Sequence, residues 1–450
     1  MSRIKNEELT IPLLSEVICP HCWEAFAPRD ILFIADHDRL VGDARLGGDA
    51  RLRFRPTRFN RRCQPLDPAG QICHDMACPR CHLLIPRQML EHKCRFLSVL
   101  GAPASGKSYF LGSMIWQTRK VLLRDFGYSF GDIHPQFNKV VNSYEEALFL
   151  NPQRDKWLPA GELIPKTQFT GDLLFNEVSL DGKQTRLPQP FLFEYRVPNR
   201  ARQTRTRLMC LYDNAGESFL AASEDASALE TTRHISQSSA LFFVFDPLQD
   251  PRFVDALEKI DPGAARRGLP NPVLHRQETI LREASSRIRR FLGLKSDNKH
   301  KSPLVVIVGK YDAWWKLMPE ARSIQWLKNS RAGKASPSGK IHDAPDEGEP
   351  GISVSAINRM SSQLRELLAG LCPEIVGTAE FFSEQVIFIP VSAFGFDCGD
   401  RASGAGKTGL IRPMDIDPFQ VELPLIWYLT HIRSKKDDVD QSHSEFELEE

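Results

Sequence analysis

The stretch Gly101, Ala102, Pro103, Ala104, Ser105, Gly106, Lys107 and Ser108 has the residue types and spacing of a phosphate cradle, G-x-x-x-x-G-K-[ST]. Glycine at each end lets the backbone turn tightly and aim its N–H groups inward. Lys107 is long enough to reach the β- and γ-phosphates of a nucleotide, the Ser108 hydroxyl can ligate Mg²⁺, and the start of a helix adds partial positive charge. The plain alternative is an ordinary strand–turn–helix junction. The context argues against it: apolar RFLSVL runs into the loop, and SYFLGSMIWQTRKVLLRDF, which places Tyr109 just behind it, leaves with helical spacing. A second string, SGAGKTG at Ser403, has Arg401 where the first glycine belongs and no strand leading into it, with Pro413 close behind; it reads as a loop.

Three further groups stand at strand ends downstream. Asp213 follows TRLMCLY and begins a D-x-x-G with Gly216. A carboxylate there can hold Mg²⁺ through water, and the glycine amide can sense a γ-phosphate. Lys310 and Asp312 follow PLVVIV. A carboxylate at Asp312 can accept two hydrogen bonds from the N1–H and 2-amino group of guanine, with Lys310 against the base; the alternative is a solvated charge pair. Ser392 and Ala393 follow QVIFIPV, where small side chains let a backbone N–H approach the guanine oxygen. Ligands of open α/β sheets bind at such carboxyl ends of strands. A threonine to complete the Mg²⁺ shell has to lie in the long segment before QPFLFEYRV, where PKTQFTGD offers Thr167 and Thr170.

The N-terminal part carries a different chemistry. Cys19 with Cys22, and Cys78 with Cys81, form two C-P-x-C knuckles, each presenting two thiolates from one turn. Together they make an S₄ set suited to Zn²⁺. Cys63 and Cys73 between them receive no role, and His21 and His82 read as supporting or surface groups. The same interval holds RLRFRPTRFNRR, arginines interleaved with phenylalanine. Such a run can pair with phosphates and stack on bases, but a solvated or protein-docking loop is favoured, because the chain's net charge is only +1.

These groups need a framework. The chain has 450 residues, 42% hydrophobic and 26% charged, as ordinary globular proteins do. The order of elements predicts residues 1–94 as a zinc-ribbon domain with an arginine-rich insertion. Residues 95–433 then form an α/β domain with insertions at about 127–188 and 330–351, and 434–450 an acidic solvated tail. The start, MSRIKNEELTIPLLSEV, has no apolar stretch of the signal-peptide kind, and the longest apolar runs are strand-length, so a cytoplasmic protein without a membrane span is expected.

On CPHCW, CPRCH, GAPASGKSYFL, YEEALFL, PKTQ, PFLFEY, DNAGE and GKYD the chain resembles the P-loop GTPases of the Ras and translation-factor class. Within them it is most similar to the bacterial double-GTPase family, in the branch with an N-terminal zinc ribbon. The resemblance implies a P-loop NTPase three-layer sandwich with a mostly parallel sheet, binding and hydrolysis of GTP to GDP with Mg²⁺, and protein partners, another GTPase or an activator among them. It selects Thr167 over Thr170 as the switch threonine, holding Mg²⁺ with Ser108 and, through water, Asp213. Lys107, Thr167, Gly216 and Glu217 take the catalytic roles.

Two positions depart from the family pattern. Gly309 stands where N/T-K-x-D has a bracing side chain. Glu217 stands where Ras-like proteins position water with glutamine, and a carboxylate there is repelled by the γ-phosphate, which implies slow intrinsic hydrolysis or the need for a partner. A nucleotide-gated interaction scaffold is therefore a second reading, and an ATPase acting on nucleic acid a third.

Overall fold

Two runs, ALFFVF and LVVIV, are apolar at every position and become strands buried on both faces, the arrangement that a parallel sheet covered on two sides requires. They belong to a seven-stranded sheet in the structure, a computed structural model that describes residues 13–164, 174–198, 204–214, 233–263, 276–295, 298–328, 342–343, 351–396 and 410–431. In chain order its strands are β1 (Cys94–Gly101), β2 (Ser129–Asp132), β3 (Phe191–Pro198), β4 (Thr204–Asp213), β5 (Ala240–Phe245), β6 (Leu304–Val308) and β7 (Val386–Pro390). They lie side by side as β2-β3-β4-β1-β5-β6-β7. Strands β4, β1, β5, β6 and β7 run parallel, whereas β2–β3 and β3–β4 pair antiparallel.

The architecture is thus α/β with a mostly parallel sheet, with a difference at one side. The pairing of β3 with β4 is a direct reversal rather than a helical crossover, since residues 199–203 are too few for the dozen or more that a parallel connection needs. Edge strand β2, SFGD, has no apolar alternation to mark it in sequence. Its Asp132 accepts hydrogen bonds from Arg119 at 2.7 Å, Asn138 at 2.8 Å and Asn142 at 2.9 Å, which tie the edge to the neighbouring helices.

Helix α1 (Lys107–Phe126) follows the loop directly and buries Phe110, Leu111, Met114, Ile115 and Leu122. It stops at Gly127, whose φ of 68° places it in the left-handed region; the Gly127 and Tyr128 amides bond back to Leu123 and Leu122. Helices α2 (Lys139–Phe149), α3 (Pro251–Ile260), α4 (Gln277–Leu292), α5 (Val354–Leu371) and α6 (Pro373–Phe382), with residues 423–431, add to the helical packing.

The two faces of β4 separate two cores. Met209 and Leu211 join the large helical core, while Leu208, Cys210 and Tyr212 face the other way. There the sheet is covered mainly by the N-terminal cysteine-bearing segment, through Val17, Trp23, Phe26 and Met76, and by the hairpin Phe175–Leu180 with Lys183–Pro188. A segment so poor in apolar residues gains a core by sharing the sheet's.

Candidate functional site

The loop between β1 and α1 is held in a defined turn. Ser105 N–H donates to the Ala102 carbonyl at 3.2 Å, Ala104 has φ 59° and Gly106 φ 90°. A Cβ at Gly101 would stand 2.6 Å from the Val244 carbonyl of the adjacent strand, so only glycine lets the loop leave β1 against β5. The first helical bond runs from Phe110 N–H to the Gly106 carbonyl at 2.9 Å. The amides of Ser108 and Tyr109 precede it and have no carbonyl one turn back within the helix, the usual source of anion-binding donors. Lys107 Nζ donates to the carbonyls of Gly101 at 2.9 Å and Ala102 at 2.8 Å, which lays the ammonium across the loop. The Tyr109 hydroxyl bonds to the Ala160 carbonyl, and its ring meets Phe394 edge-on at 5.0 Å; burial raises the phenol to about 12.

Asp213 ends β4 beside β1, opposite Val99 in register. It is buried, and its Oδ1 has no hydrogen-bond partner. Burial pushes its carboxyl up to about 6, against the pull of the Lys107 charge. Ser105 Oγ, in the loop, is a second buried oxygen without a partner. Buried polar atoms are usually satisfied, so these two oxygens are available to a ligand at the loop. A carboxylate oxygen at Asp213 and, separately, the Ser108 hydroxyl are of the oxygen-donor type that a hard cation takes.

On the other side of the loop, Asp246 follows β5 and is fully buried. Its Oδ2 accepts from Lys310 Nζ at 2.6 Å and from Gln249 Nε2 at 3.2 Å, its Oδ1 from the Leu248 amide at 3.1 Å. The same Gln249 nitrogen reaches the Pro103 carbonyl at 3.3 Å. Asp246 therefore joins the loop after β5, the loop after β6 and the phosphate-type loop. Lys310 is left-handed, φ 56°, and this turns the chain so that Asp312 faces the segment after β7. There Ser392 Oγ donates to Asp312 Oδ1 at 2.5 Å, and burial holds the Asp312 carboxyl above its ordinary value. Ser113 of α1 donates to the Ala393 carbonyl at 3.0 Å. Gly309 is held by its own amide on the Phe245 carbonyl, 2.8 Å, and by Trp314 Nε1 on its carbonyl, 2.8 Å. A Cβ there would meet nothing nearer than 3.6 Å, so the fold does not require glycine at that position.

Residues 101–109, 213, 310, 312, 392 and 393 thus gather at the carboxyl ends of β1, β4, β6 and β7. Thr167, Thr170, Gly216, Glu217 and the string at Ser403 lie outside the described residues, as does the tail. Sequence reading missed Asp246, although a lone carboxylate closing ALFFVFD was a visible signal. It also missed Gln249, and Asn214, whose amide and Nδ2 both donate to the Val99 carbonyl, at 3.2 and 3.0 Å.

The second centre is the four-cysteine cluster. Two short hairpins, Val17–Ile18 with Ala25–Phe26 and Met76–Ala77 with Leu84–Ile85, carry the two knuckles in matching conformations. In each, the residue after the second cysteine is left-handed, Trp23 at φ 56° and His82 at 63°. In each, an amide inside the turn reaches the first sulfur at 3.4 Å: His21 N–H to Cys19 and Arg80 N–H to Cys78.

All four sulfurs are buried and lie within 4.8 Å of one another, with Cys19–Cys81 and Cys22–Cys78 each 3.7 Å apart. Four sulfurs about 2.3 Å from one zinc ion stand about 3.8 Å apart along the edges of a tetrahedron, so the set fits a metal such as zinc. Burial pushes the Cys19 and Cys81 thiols well up, while bonds from the other three cysteines hold Cys78 well down; a bound cation would stabilise all four as thiolates. His21 Nε2 lies 3.2 Å from the Leu84 carbonyl and His82 Nδ1 2.8 Å from Asp43, supporting groups rather than ligands. Cys63 is exposed and Cys73 buried, both apart from the cluster.

Several arginines of the basic run are engaged locally. Arg51 lies 2.8 Å from Asp38, Arg55 3.1 Å from Asp30, and Arg53 Nε donates to the His82 carbonyl at 3.2 Å. They brace the insertion.

No family model matches the chain. Among curated proteins it is similar to a putative ESX-1 scaffolding and assembly protein, SaeC, of Mycolicibacterium smegmatis. Identity is 25% over 201 residues, 45% of this chain and 44% of that protein, so the match spans less than half of either. No helix among the described residues is long and apolar enough to cross a membrane.

Proposed function

We propose that the chain is a P-loop GTPase related to the bacterial double-GTPases: a nucleotide switch that binds GTP and hydrolyses it to GDP and phosphate. The observation that carries this reading is that three separate strand ends present these groups along one edge of the parallel sheet. Lys107 lies across the loop, Asp213 stands beside it with an unpartnered oxygen, and Asp312 is presented by Ser392 one strand further on. The strand order and the strand–loop–helix run from β1 to α1 support a P-loop fold.

In this reading the loop amides and Lys107 hold the phosphates and stabilise charge on the transferring phosphoryl group. Ser108 and Thr167, with Asp213 through water, would hold Mg²⁺, which would supply charge neutralisation at the phosphates. Asp312 reads the guanine edge beside Lys310, Ala393 offers its amide to the guanine oxygen, and Gly216 relays loss of the γ-phosphate. The four cysteines hold zinc. Displacement of a fluorescent GTP analogue tests base identity: GTP and GDP compete and ATP does not, whereas equal competition by ATP would overturn the guanine assignment.

A second reading is favoured by Glu217 and by the similarity to a putative scaffolding and assembly protein. In it, nucleotide state gates docking of protein partners and turnover is slow. Single-turnover hydrolysis by the isolated chain separates the two.

A further inference from the structure

The two centres are joined by side-chain contacts. The Tyr212 hydroxyl accepts from Trp23 Nε1 at 3.1 Å and donates to the Pro20 carbonyl at 2.5 Å. Pro20 lies inside the first cysteine knuckle and Trp23 closes it. His234 packs 4.5 Å from the Tyr212 ring and 5.4 Å from Trp23, and its Nε2 lies 2.6 Å from Asn214 Oδ1. Asn214, clamped to Val99 of β1, is the chain neighbour of Asp213. Trp23, Tyr212, His234 and Asn214 are all buried, the most exposed at 7%. A continuous run of buried contacts therefore joins the thiol turn to the carboxylate beside the phosphate-type loop.

Ligation of a metal fixes the backbone of the knuckle, and with it the Pro20 carbonyl and the Trp23 indole. A hydroxyl as deeply buried as Tyr212 cannot turn to water if those partners move, and leaving it unsatisfied is costly. The strain is relieved by displacing Tyr212 or its strand. Tyr212 and Asp213 are successive residues of β4, one facing each side of the sheet, so displacing the first moves the second.

We propose that Tyr212 and His234 are positioning residues through which occupancy of the four-cysteine site sets nucleotide affinity, so that loss of the metal weakens nucleotide binding. The inference rests on the reading that the Gly101–Ser108 loop binds nucleotide. It makes the thiol cluster a control element for that loop, reached by removal of the metal.

The test is a cycle on the full-length chain. The affinity of a fluorescent GDP analogue is measured for the native protein and Tyr212→Phe, each metal-loaded and each stripped with a thiol-directed mercurial and chelator. Stripping weakens binding by the native chain about tenfold, within the usual range of coupling between sites, and changes that of Tyr212→Phe less than about threefold. His234→Gln behaves as Tyr212→Phe does. Equal losses in all three proteins would overturn the proposal.

Reciprocity supplies a measurement that needs no stripped protein: GDP tightens the equilibrium affinity for the metal, read by competition with a chelator, in the native chain and not in Tyr212→Phe. If the loaded native chain bound no GDP, the nucleotide reading would fall. The coupling would still be scored by hydrogen exchange at the Asn214 amide, which is faster after stripping if the contacts transmit and unchanged if they do not.

Discussion

Lys310 Nζ lies 2.6 Å from Asp246 Oδ2, and the Asp246 side chain is only 1% exposed. A buried carboxylate thus orients the lysine of the proposed base-reading loop and, through Gln249, the Pro103 carbonyl of the proposed phosphate loop. Substituting Asp246→Asn removes the charge and keeps the shape. Guanine-nucleotide affinity should fall about tenfold and stability by about 1–3 kcal/mol, the scale of a charged hydrogen bond. Nucleotide titration and urea unfolding measure the two. Unchanged affinity with the full stability loss would reduce Asp246 to a structural role.

Asp213 gives a dependence on pH with a definite sign. Its carboxyl is raised by burial from 3.8 to about 6 in the folded chain. Below about pH 4 it is protonated whether folded or not. Between about pH 4 and 6 the unfolded chain has released this proton and the folded chain has not, so the contribution to stability declines as pH rises, then levels off. Asp213→Asn removes that decline. The variant should be more stable than the native chain at pH 7, by at most about 3 kcal/mol, with the difference gone near pH 4. Glu422, raised by burial to about 7, titrates in both proteins and cancels. Urea midpoints at the two pH values decide it; a native chain more stable than Asp213→Asn at pH 7 without nucleotide would contradict the account.

The cysteine assignments separate cleanly. The chain should bind one Zn²⁺ per molecule, and Co²⁺ in its place should show the visible bands of a tetrahedral thiolate site. Cys78→Ser abolishes both signatures, while Cys63→Ser, altering an exposed residue away from the cluster, leaves them intact. Loss of metal in Cys63→Ser would mean that the cluster is wrongly drawn.

Gly101 tests how tightly the loop is fitted. An alanine Cβ would approach the Val244 carbonyl to 2.6 Å, whereas one at Gly106 meets nothing within 4 Å. Gly101→Ala should cost about 1–3 kcal/mol through backbone displacement, on top of the strain of its own positive φ of 156°. Gly106→Ala pays only for the left-handed φ of 90°, about 1–2 kcal/mol, with no clash. Thermal unfolding ranks them; the reverse order would argue against this loop geometry.

The central strands were legible because each is a short apolar run bounded by turns, and burial on both faces demands that pattern. The loop from Gly101 to Ser108 and the two cysteine knuckles were legible because their chemistry is local, set by spacing within a few residues. Edge strand β2 escaped because SFGD has a mixed pattern and is held by side chains of the adjoining helices. Asp246 and Lys310 are 64 positions apart, and Trp23 and Tyr212 189. Such relations exist only once the sheet brings its strand ends together, so no spacing rule reveals them. The antiparallel pairing of β3 with β4 was in principle visible, because the short interval between the two runs leaves no room for a crossover helix.

The central claim is that the Gly101–Ser108 loop binds a guanine nucleotide. Calorimetric titration of GTP with Mg²⁺ into the metal-loaded chain tests it most directly. The account predicts saturable heat with about one site per chain, and about 10- to 100-fold weaker binding by Lys107→Ala, the loss of one charged hydrogen bond of about 1.5–3 kcal/mol. No heat from the native chain, or equal affinity in Lys107→Ala, would contradict it.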